Sequence, residues 1–290
     1  VRFLREIRTA ARLEHPGTPV VYDTGIEEQP DGTEQVWLVM QLLRGSTLET
    51  VLDAAVYDGD ATPTVEWAAA IGAQIAAVLA DVHRVDVVHR DVKPANIMIV
   101  DGGLVKVLDF GIAILRGTGA LPRLTQVDRT VGTPAYMSPE QHLGRVVTGA
   151  SDVYSLGCLL FELLTGDPPY QRDGDGTPLR AHHVQAPIPS VRSVRAEVPA
   201  ELDALVTAML AKDPDARPSA EEVYRALAPL VHGTTPRTGT GRDADRDPLR
   251  PFRTPLLAPP PRHPVRVRRL PLTDDELDVL MANVAALMGA

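Results

Sequence analysis

The sequence predicts an α+β fold in which a short β-rich region precedes a larger, mostly helical one. The first observation is the order of the hydrophobic patterns, because two β-like runs before residue 43 give way to helical repeats that continue to residue 231. The second is composition, since a chain of 290 residues with 44% hydrophobic residues can bury a sizeable core. We therefore expect one folded domain over residues 1–231 with two unlike parts.

Residues 1–43 carry the β-rich part. Apolar residues recur at helical spacing from Phe3 to Ala11, which predicts an amphipathic helix. Two β-rich runs follow at 20–26 and 35–41, and the polar segment between them contains the turn-former Pro30. We expect these two runs to pair as an antiparallel hairpin.

The helical part covers residues 44–231. Periodic apolar patterns predict helices at 47–55, 65–84, 151–164, 200–211 and 220–230. The segment Thr62-Pro63-Thr64 is expected to cap the second of them, and Glu66 in its first turn suits the positive end of a helix. Two short apolar runs, 97–100 and 104–108, predict a small second hairpin.

Residues 232–271 differ from the rest, because they are rich in proline, arginine, glycine and threonine and show little periodic apolar pattern. This composition predicts a disordered, locally polyproline linker. In the final stretch, 272–290, a capping box of Thr273 and Glu276 precedes an apolar stripe, which predicts a short amphipathic helix. Because an isolated helix of this length is marginal in water, we expect it to dock onto its own domain or onto another protein.

Charge and cysteine content narrow the class of protein. The formal net charge of −9 and the pI near 5.4 argue against a nucleic-acid binder, which needs a basic surface to neutralise phosphates. No run of uninterrupted apolar residues reaches the roughly 18 that a membrane span needs, so no membrane-spanning helix is expected. The single cysteine, Cys158, lies in an apolar run, which predicts a buried, unreactive thiol in a reducing cytoplasm.

Three short motifs appear in a fixed order in the helical part. The sequence His89-Arg90-Asp91-Val92-Lys93-Pro94-Ala95-Asn96 precedes the predicted second hairpin, Asp109-Phe110-Gly111 follows it, and Ser138-Pro139-Glu140 comes later. This arrangement resembles the catalytic loop, the metal-binding motif and the end of the activation segment of protein kinases. The resemblance runs from about residue 1 to residue 230 and is closest to bacterial Hanks-type serine/threonine kinases. It implies a protein-kinase-like bilobal fold, with an incomplete β N-lobe and a mostly α-helical C-lobe divided after residue 43.

The motif residues have types that suit phosphate transfer from ATP to a hydroxyl group, a reaction that depends on positioning and on neutralising negative charge. Asp91 is expected to accept the proton of the substrate hydroxyl, and Lys93 to place a positive charge near the transferring phosphate. Asn96 and Asp109 offer the oxygen ligands that Mg²⁺ prefers beside phosphate oxygens and water. ATP and Mg²⁺ are therefore expected together.

The resemblance also implies an adenine pocket. Met40 is expected at the back of this pocket and Met98 beneath the adenine ring, with an ordinary core role as the alternative for both. The backbone of Gln41, Leu42 and Leu43 is expected to form the hinge that hydrogen-bonds the adenine edge.

Regulation and hydroxyl specificity follow from the same resemblance. Lys93 and Thr133 are typical of serine/threonine kinases, so tyrosine specificity is not expected. Arg90 is expected to pair with a phosphorylated activation loop, because a guanidinium binds a phosphate dianion well. Thr125 and Thr130 are the candidate phosphorylation sites, and ordinary loop threonines are the alternative.

Charged residues outside the catalytic loop are expected to support its shape. By the resemblance, Glu140 pairs with Arg217 behind the activation segment, and Asp152 holds the backbone of the catalytic loop. Phe110 is expected to pack under the first helix. Removing one partner of a buried pair such as Glu140 with Arg217 costs about 3 to 5 kcal/mol, so a loss of activity there would be indirect.

One part of the kinase pattern is missing from the sequence. A complete kinase has a glycine-rich loop and a strand lysine that pairs with a helical glutamate, whose place Glu6 occupies. The lysines of the chain are Lys93, Lys106 and Lys212, and none of them precedes Glu6. We expect the authentic polypeptide to begin about 40 to 50 residues upstream, judged from the typical lengths of three missing strands and their loops.

Two functions remain compatible with this pattern. The first is an enzyme that phosphorylates serine or threonine of protein substrates, including itself through self-association. The second is a catalytically impaired pseudokinase, a scaffold or binding module that keeps the fold. The missing lysine favours the second function, while the retained Asp91, Asn96 and Asp109 count against it.

Overall fold

The fold is known from a computed structural model that describes residues 15–28, 34–58, 62–109, 134–171, 177–231 and 246–253. Several predicted features lie outside these residues: the first helix with Glu6, the residues Phe110, Thr125, Thr130 and Thr133, and the C-terminal helix at 272–290. The described residues form two small antiparallel sheets and a helical body, so the predicted α+β class is confirmed.

The first sheet is the predicted hairpin. Strand β1 spans Val21–Glu28 and strand β2 spans Glu34–Met40, and they pair antiparallel with Gly25 opposite Trp37. A Cβ atom on Gly25 would overlap the Trp37 ring, so a larger residue at this position would force the ring to move. Residues 41–44 then lead out of β2 without regular structure, at the place predicted for a hinge.

The second sheet has three strands, one more than predicted. In the order in which they pair, all antiparallel, they are β3 (Gly45–Thr47), β4 (Ile97–Val100) and β5 (Val105–Val107). The sequence patterns predict only β4 and β5, and they start a helix at residue 47, because three residues are too few to show alternation. Residues 45–47 therefore form a strand because they pair with β4. The two strands lie so close that a Cβ atom on Gly45 would overlap the Ile99 carbonyl.

The described residues contain eight α-helices: α1 (Leu48–Asp58), α2 (Val65–His83), α3 (Pro139–His142), α4 (Gly149–Thr165), α5 (Leu179–Gln185), α6 (Ala200–Met209), α7 (Ala220–Val231) and α8 (Arg250–Arg253). Helices α1, α2, α4, α6 and α7 match predicted helices to within a few residues. The other three helices are not predicted. They are only 4 to 7 residues long, so they show no hydrophobic period.

Helices α2 and α4 form the centre of the helical body, and α7 packs along α2. Gly72 on α2 lies against Leu160 and Leu227, so a small residue allows close helix contact. Among the described helices, α2 alone has the length and hydropathy of a membrane span, which the count of uninterrupted apolar residues did not anticipate. Its most apolar window is 67% buried within the protein, as expected for the central helix of a globular core.

Helix α8 lies within the region predicted as a disordered linker. In residues 246–253, Leu249 is only 4% exposed and Phe252 packs against the core. The linker prediction therefore does not hold for these residues. A shift in composition shows that a regular apolar period is missing, but it does not detect a short segment that gains order by packing.

The start of α2 depends on a cap that can be tested. Thr64 has an extended backbone, and its Oγ1 accepts a hydrogen bond from the Trp67 amide at 3.2 Å. Within the predicted capping segment at 62–64, the N-cap residue is therefore Thr64. Thr64→Ala is expected to lower the free energy of unfolding by about 1 kcal/mol, because an amide of the first turn loses its partner. Urea denaturation measures the loss, with Thr62→Ala at an exposed position before the cap as the control. Equal losses in the two variants would contradict the capping role.

Candidate active site

The catalytic loop places two predicted side chains, those of Lys93 and Asn96, around the Asp91 carboxylate. Lys93 Nζ lies 3.0 Å from Asp91 Oδ2, and Asn96 Nδ2 donates to the same oxygen at 3.2 Å and to the Asp91 carbonyl at 2.8 Å. A 3₁₀ turn over Pro94–Asn96, which begins with proline, brings Asn96 back toward Asp91. The side chains of Asp91 and Lys93 keep 20% and 18% of their surface exposed, so a substrate can reach them.

A buried carboxylate from another helix holds this loop. Asp152, in the first turn of α4, accepts the His89 amide at Oδ2 (2.8 Å) and the Arg90 amide at Oδ1 (2.7 Å). His83 Nε2 adds a third contact, 2.8 Å from Oδ2. Arg90 has a positive φ of 69°, a strained conformation for a residue other than glycine, and the carboxylate stabilises it. The structure thus contains the contact that the resemblance implies for Asp152.

His89 links the catalytic loop to Asp109. The buried ring donates from Nε2 to the Leu108 carbonyl at 2.6 Å, and its Nδ1 accepts the Asp91 amide at 3.2 Å. These contacts select the tautomer with its proton on Nε2, because a proton on Nδ1 would face the Asp91 N–H. The Leu108 amide donates to the Asn96 carbonyl at 2.8 Å. Both backbone groups of Leu108 are therefore tied to the loop, and Asp109 follows directly with a positive φ of 65°.

Asn96 and Asp109 have the chemistry of metal ligands. Among the described residues, Asn96 Oδ1 accepts no hydrogen bond, because both side-chain contacts of Asn96 come from its nitrogen. Asp109 is exposed. One amide oxygen and one carboxylate form the sparse oxygen set that suits Mg²⁺ when phosphate and water complete the shell. Within the described ranges, no cluster of three His, Cys, Asp or Glu side chains offers another metal site.

A buried ion pair lies behind the end of the activation segment. Arg217 Nη1 donates to Glu140 Oε1 at 2.7 Å and Nη2 donates to Oε2 at 2.9 Å, while Ser151 Oγ donates to Oε1 at 2.6 Å. Arg217 also donates to the carbonyls of Ala150 and Ala211. Burial raises the pKa of Glu140, but the hydrogen bonds from Arg217 and Ser151 outweigh this effect and hold the pKa below its ordinary range. The pair is therefore ionised and fully hydrogen-bonded.

Gln141 couples the activation segment to the catalytic loop, a contact that no sequence pattern indicates. Its side-chain nitrogen donates to the Arg90 carbonyl at 2.7 Å, and its oxygen accepts the Ser138 amide at 2.9 Å. Arg90 Nε is buried and has no hydrogen-bond partner in the described part of the chain. An unpaired buried donor of this kind suits an anionic partner.

The other two lysines are engaged elsewhere in the fold. Lys106 is buried on β5, where Nζ donates to the Thr18 carbonyl at 2.8 Å. Lys212 Nζ donates to the Tyr170 hydroxyl and to the His183 carbonyl, each at 2.8 Å. Burial lowers the pKa of both amino groups, that of Lys212 to about 8. Neither lysine is therefore available to anchor the phosphates of a nucleotide.

The predicted nucleotide-binding residues lie on the strands next to the hinge and in the hinge itself. Met40 is the last residue of β2, and Met98 lies half-buried on β4. Gln41, Leu42 and Leu43 form the connection that follows β2. No backbone hydrogen bond joins Leu42 or Leu43 to another described residue, so their amides and carbonyls can bind a ligand.

No motif indicates the pocket that opens beside Lys93. It has a volume of about 160 Å³, and three carboxylates line it, those of Glu49 and Asp53 on α1 and of Glu162 on α4. The Tyr136 hydroxyl donates to Glu162 Oε2 at 2.6 Å. Glu162 is the only charged residue in the apolar C-terminal half of α4, and this isolated charge is the sequence signal that could have revealed the pocket.

The pocket carries a pH effect that can be measured. Burial raises the pKa of Glu162 to about 7, and neighbouring carboxylates add to the increase. The folded protein therefore binds the carboxyl proton of Glu162 more tightly than the unfolded chain does. The protonated carboxyl stabilises the fold fully below about pH 4.5, and this stabilisation is lost as the pH rises through about 7. In Glu162→Gln this loss is expected to be absent. The unfolding free energy of the variant should therefore rise relative to the parent between about pH 5 and about pH 8.

Chemical denaturation of both proteins at the two pH values measures this difference, and a difference that does not change with pH would contradict the assignment. The hydrogen bond from Tyr136 lowers the pKa of Glu162. Tyr136→Phe is therefore expected to move the loss of stability to higher pH.

The fold and the site together define a class of protein. The model of the protein kinase domain family matches residues 1–227, which is most of the chain. The chain belongs to this family, and the predicted resemblance is confirmed.

Individual relatives are bacterial. The chain is 42% identical to serine/threonine-protein kinase PknB of Mycolicibacterium smegmatis over 262 residues, which cover 90% of this chain and 40% of that protein. It is 41% identical to PknB of Mycobacterium tuberculosis over 238 residues, covering 81% of this chain and 36% of the relative. It is also 42% identical to the probable serine/threonine-protein kinase SCO3848 of Streptomyces coelicolor, with coverages of 80% and 33%. The chain thus spans at most 40% of the length of these relatives.

Proposed function

We propose that the protein transfers the γ-phosphate of ATP to serine or threonine hydroxyls of proteins, with Mg²⁺ as the metal. The observation that carries this proposal is the set of contacts among Asp91, Lys93 and Asn96, to which Leu108 ties Asp109. Membership of the protein kinase domain family supports the reaction type. The names of the bacterial relatives support serine and threonine as acceptors.

Each side chain has one task in this proposal. Asp91 accepts the proton of the substrate hydroxyl and orients its oxygen, while Lys93 places a positive charge beside the incoming phosphate. Asn96 and Asp109 hold Mg²⁺, which neutralises charge on the phosphates when it is bound. Because Asn96 also donates to Asp91 Oδ2 at 3.2 Å, a metal ligand and the proton acceptor keep one fixed spacing.

The nucleotide and regulatory roles follow from the same proposal. The hinge backbone at Gln41 and Leu43 binds the adenine edge, with Met40 and Met98 against the ring. The buried, unpaired Arg90 Nε supports pairing with a phosphorylated activation loop. Two copies of the protein then phosphorylate each other at Thr125 or Thr130.

Location and other partners belong to the proposal as well. Burial raises the pKa of the Cys158 thiol, which keeps it protonated and unreactive, and a single cysteine cannot form an internal disulfide. Both features suit the reducing cytoplasm. The C-terminal helix at 272–290 is a docking element for the protein's own domain or for another protein.

A binding module without turnover is the second candidate. The observation that favours it is the position of the lysines, since Lys93 contacts Asp91, the buried Lys106 donates to a backbone carbonyl, and the half-buried Lys212 donates to a hydroxyl and a carbonyl. A charge-assisted contact to the phosphates contributes about 1.5 to 3 kcal/mol, so a protein in which no lysine reaches them binds nucleotide more weakly.

A transfer assay decides between the two candidates. The protein is incubated with γ-labelled ATP, Mg²⁺ and an acceptor protein rich in serine and threonine, and the phosphorylated amino acids are identified. We expect phosphoserine and phosphothreonine, no phosphotyrosine, and no product when EDTA removes the metal. Binding of ADP without any transfer would favour the binding module.

A further inference from the structure

Residues 246–253 contact the outer end of the β4–β5 hairpin. We call this segment the C-terminal clamp. Its first residue, Arg246, donates from Nε to Asp101 Oδ1 at 3.1 Å and from Nη1 to Ser46 Oγ at 2.8 Å. Asp101 lies in the hairpin turn and Ser46 lies on β3, so one guanidinium joins the hairpin turn and strand β3 to the clamp.

A buried glutamine of the core helix makes the second connection. Gln74 on α2 is only 9% exposed, and its nitrogen donates to the Pro248 carbonyl at 2.9 Å and to the Gly103 carbonyl at 3.2 Å. Its oxygen accepts the Val105 amide at 2.9 Å. One side chain thus joins the helix, the hairpin and the clamp, and without the clamp one amide proton would lose its partner.

The hairpin turn is shaped for the clamp at one glycine. Gly103 has a positive φ of 78°, and a Cβ atom there would overlap the Asp247 carbonyl. Its neighbour Gly102 also has a positive φ, of 96°. A Cβ atom on Gly102, however, would have no atom within 4 Å. The two glycines therefore share the backbone requirement. Only Gly103 also requires space for the clamp.

The clamp is closed by apolar burial and by its own turn. Leu249 is 4% exposed, and Phe252 packs against the core. Asp247 Oδ1 accepts the Leu249 amide at 3.0 Å, and the Asp247 carbonyl accepts the Arg250 amide at 3.0 Å. Polar and apolar contacts together make this a specific interface of the chain with itself.

The clamped hairpin separates the two candidate metal ligands. Strand β4 starts directly after Asn96, and β5 ends two residues before Asp109. The Leu108 amide joins the two ends of the hairpin through the Asn96 carbonyl at 2.8 Å. We propose that the C-terminal clamp is an intramolecular docking element that braces the outer end of this hairpin and so holds Asn96 and Asp109 in register. Its residues are positioning residues, and their effect on the metal rests on the proposed function.

The test compares four full-length proteins: the parent, Gly103→Ala, Gly102→Ala and Arg246→Ala. Amide hydrogen exchange is measured over residues 246–253 and at Leu108. We expect exchange in the clamp to accelerate at least about tenfold in Gly103→Ala and Arg246→Ala, because a released segment loses its protection. At Leu108 we expect a rise of roughly two- to thirtyfold, the range for coupling through packed contacts. Gly102→Ala is expected to match the parent, since it carries the backbone strain without the overlap.

A second measurement separates positioning from mere docking. Calorimetry gives the Mg²⁺ concentration needed for half-maximal binding of ADP, which we expect to rise roughly two- to thirtyfold in the two clamp variants. Affinity for ADP without Mg²⁺ is expected to stay unchanged in them. Arg246→Ala leaves the hairpin sequence intact, so it keeps the test valid if Gly103→Ala does not fold.

Each remaining outcome overturns a named part of the proposal. Equal exchange of the clamp in Gly103→Ala, Arg246→Ala and Gly102→Ala would overturn the docking. Faster exchange with an unchanged Mg²⁺ requirement would overturn the positioning role alone. A parent protein that binds no ADP with Mg²⁺ would overturn the proposed function and the positioning role together, while the exchange data would still decide the docking.

Discussion

Asp91→Asn is expected to reduce the rate of phosphate transfer about 10²- to 10⁴-fold while the protein remains folded. The amide has nearly the shape of the carboxylate, but it cannot accept the proton of the substrate hydroxyl. It also removes the negative charge 3.0 Å from Lys93 Nζ, so that the ammonium group is no longer held in place by its counter-charge. Because asparagine keeps the shape of the side chain and its oxygen can still accept the Asn96 amide, we expect the fold to persist.

Initial rates at saturating ATP and Mg²⁺ measure this effect, and a thermal melt checks the fold. Asp86→Asn is a matched control, because Asp86 lies exposed in the turn after α2 with a φ of 58°, a conformation that asparagine tolerates. It is expected to keep the parent's rate. If Asp91→Asn transferred phosphate as fast as the parent, the enzymatic proposal would be wrong. A parent without activity would lead to the binding module instead.

Removing Arg217 is expected to have the largest effect on stability. In Arg217→Met the ionised Glu140 stays buried without its guanidinium partner, and three backbone carbonyls lose a donor. One-sided loss of a buried pair costs about 3 to 5 kcal/mol of unfolding free energy. That loss is a large share of the stability of a typical domain, so we also expect a lower yield of folded protein.

A surface pair of the same residue types provides the control. Arg225 and Glu221 on α7 form an ion pair in which the side chains are 68% and 61% exposed. Solvent screens such pairs, so Arg225→Met is expected to leave the denaturation midpoint nearly unchanged. Guanidinium denaturation of both variants gives the comparison. Similar losses in the two proteins would show that the buried pair has no special role in stability.

The effect of Arg217→Met on activity is expected to follow the folded fraction. Glu140 lies next to Gln141, whose side chain donates to the Arg90 carbonyl. The pair of Glu140 and Arg217 therefore supports the catalytic loop only indirectly. Rates divided by the concentration of folded protein should therefore fall far less than in Asp91→Asn. This comparison separates an architectural role from a catalytic one.

The long helices and the chemical motifs were predictable from the sequence. Helices α2 and α4, of 19 and 17 residues, repeat their apolar positions often enough for the period to be visible. The motif at 89–96 was recognisable because phosphate transfer needs particular residue types close together on one loop. The roles of Asp91, Lys93, Asn96 and Asp109 remain predictions until the variants are measured.

Contacts between distant segments were not predictable from local patterns. The pairing of Glu140 with Arg217 was implied by the family resemblance, because no spacing rule connects residues 140 and 217. Neither a local sequence pattern nor the family resemblance predicts that Lys106 contacts the Thr18 carbonyl. Gln74 shows the same limit, since in the sequence it only interrupts an apolar run, whereas in the fold it joins three segments.

The sequence by itself determined the protein family, the order of the main elements and the residues that can carry the chemistry, because these depend on residue types at short spacing. Only the tertiary structure decided the three-residue strand β3, the carboxylate pocket beside Lys93 and the docking of residues 246–253. Each of these depends on which surfaces meet when α2, α4 and the second sheet pack together. Residues far apart in the chain then complete one another's hydrogen bonds, and a local pattern carries no record of such partners.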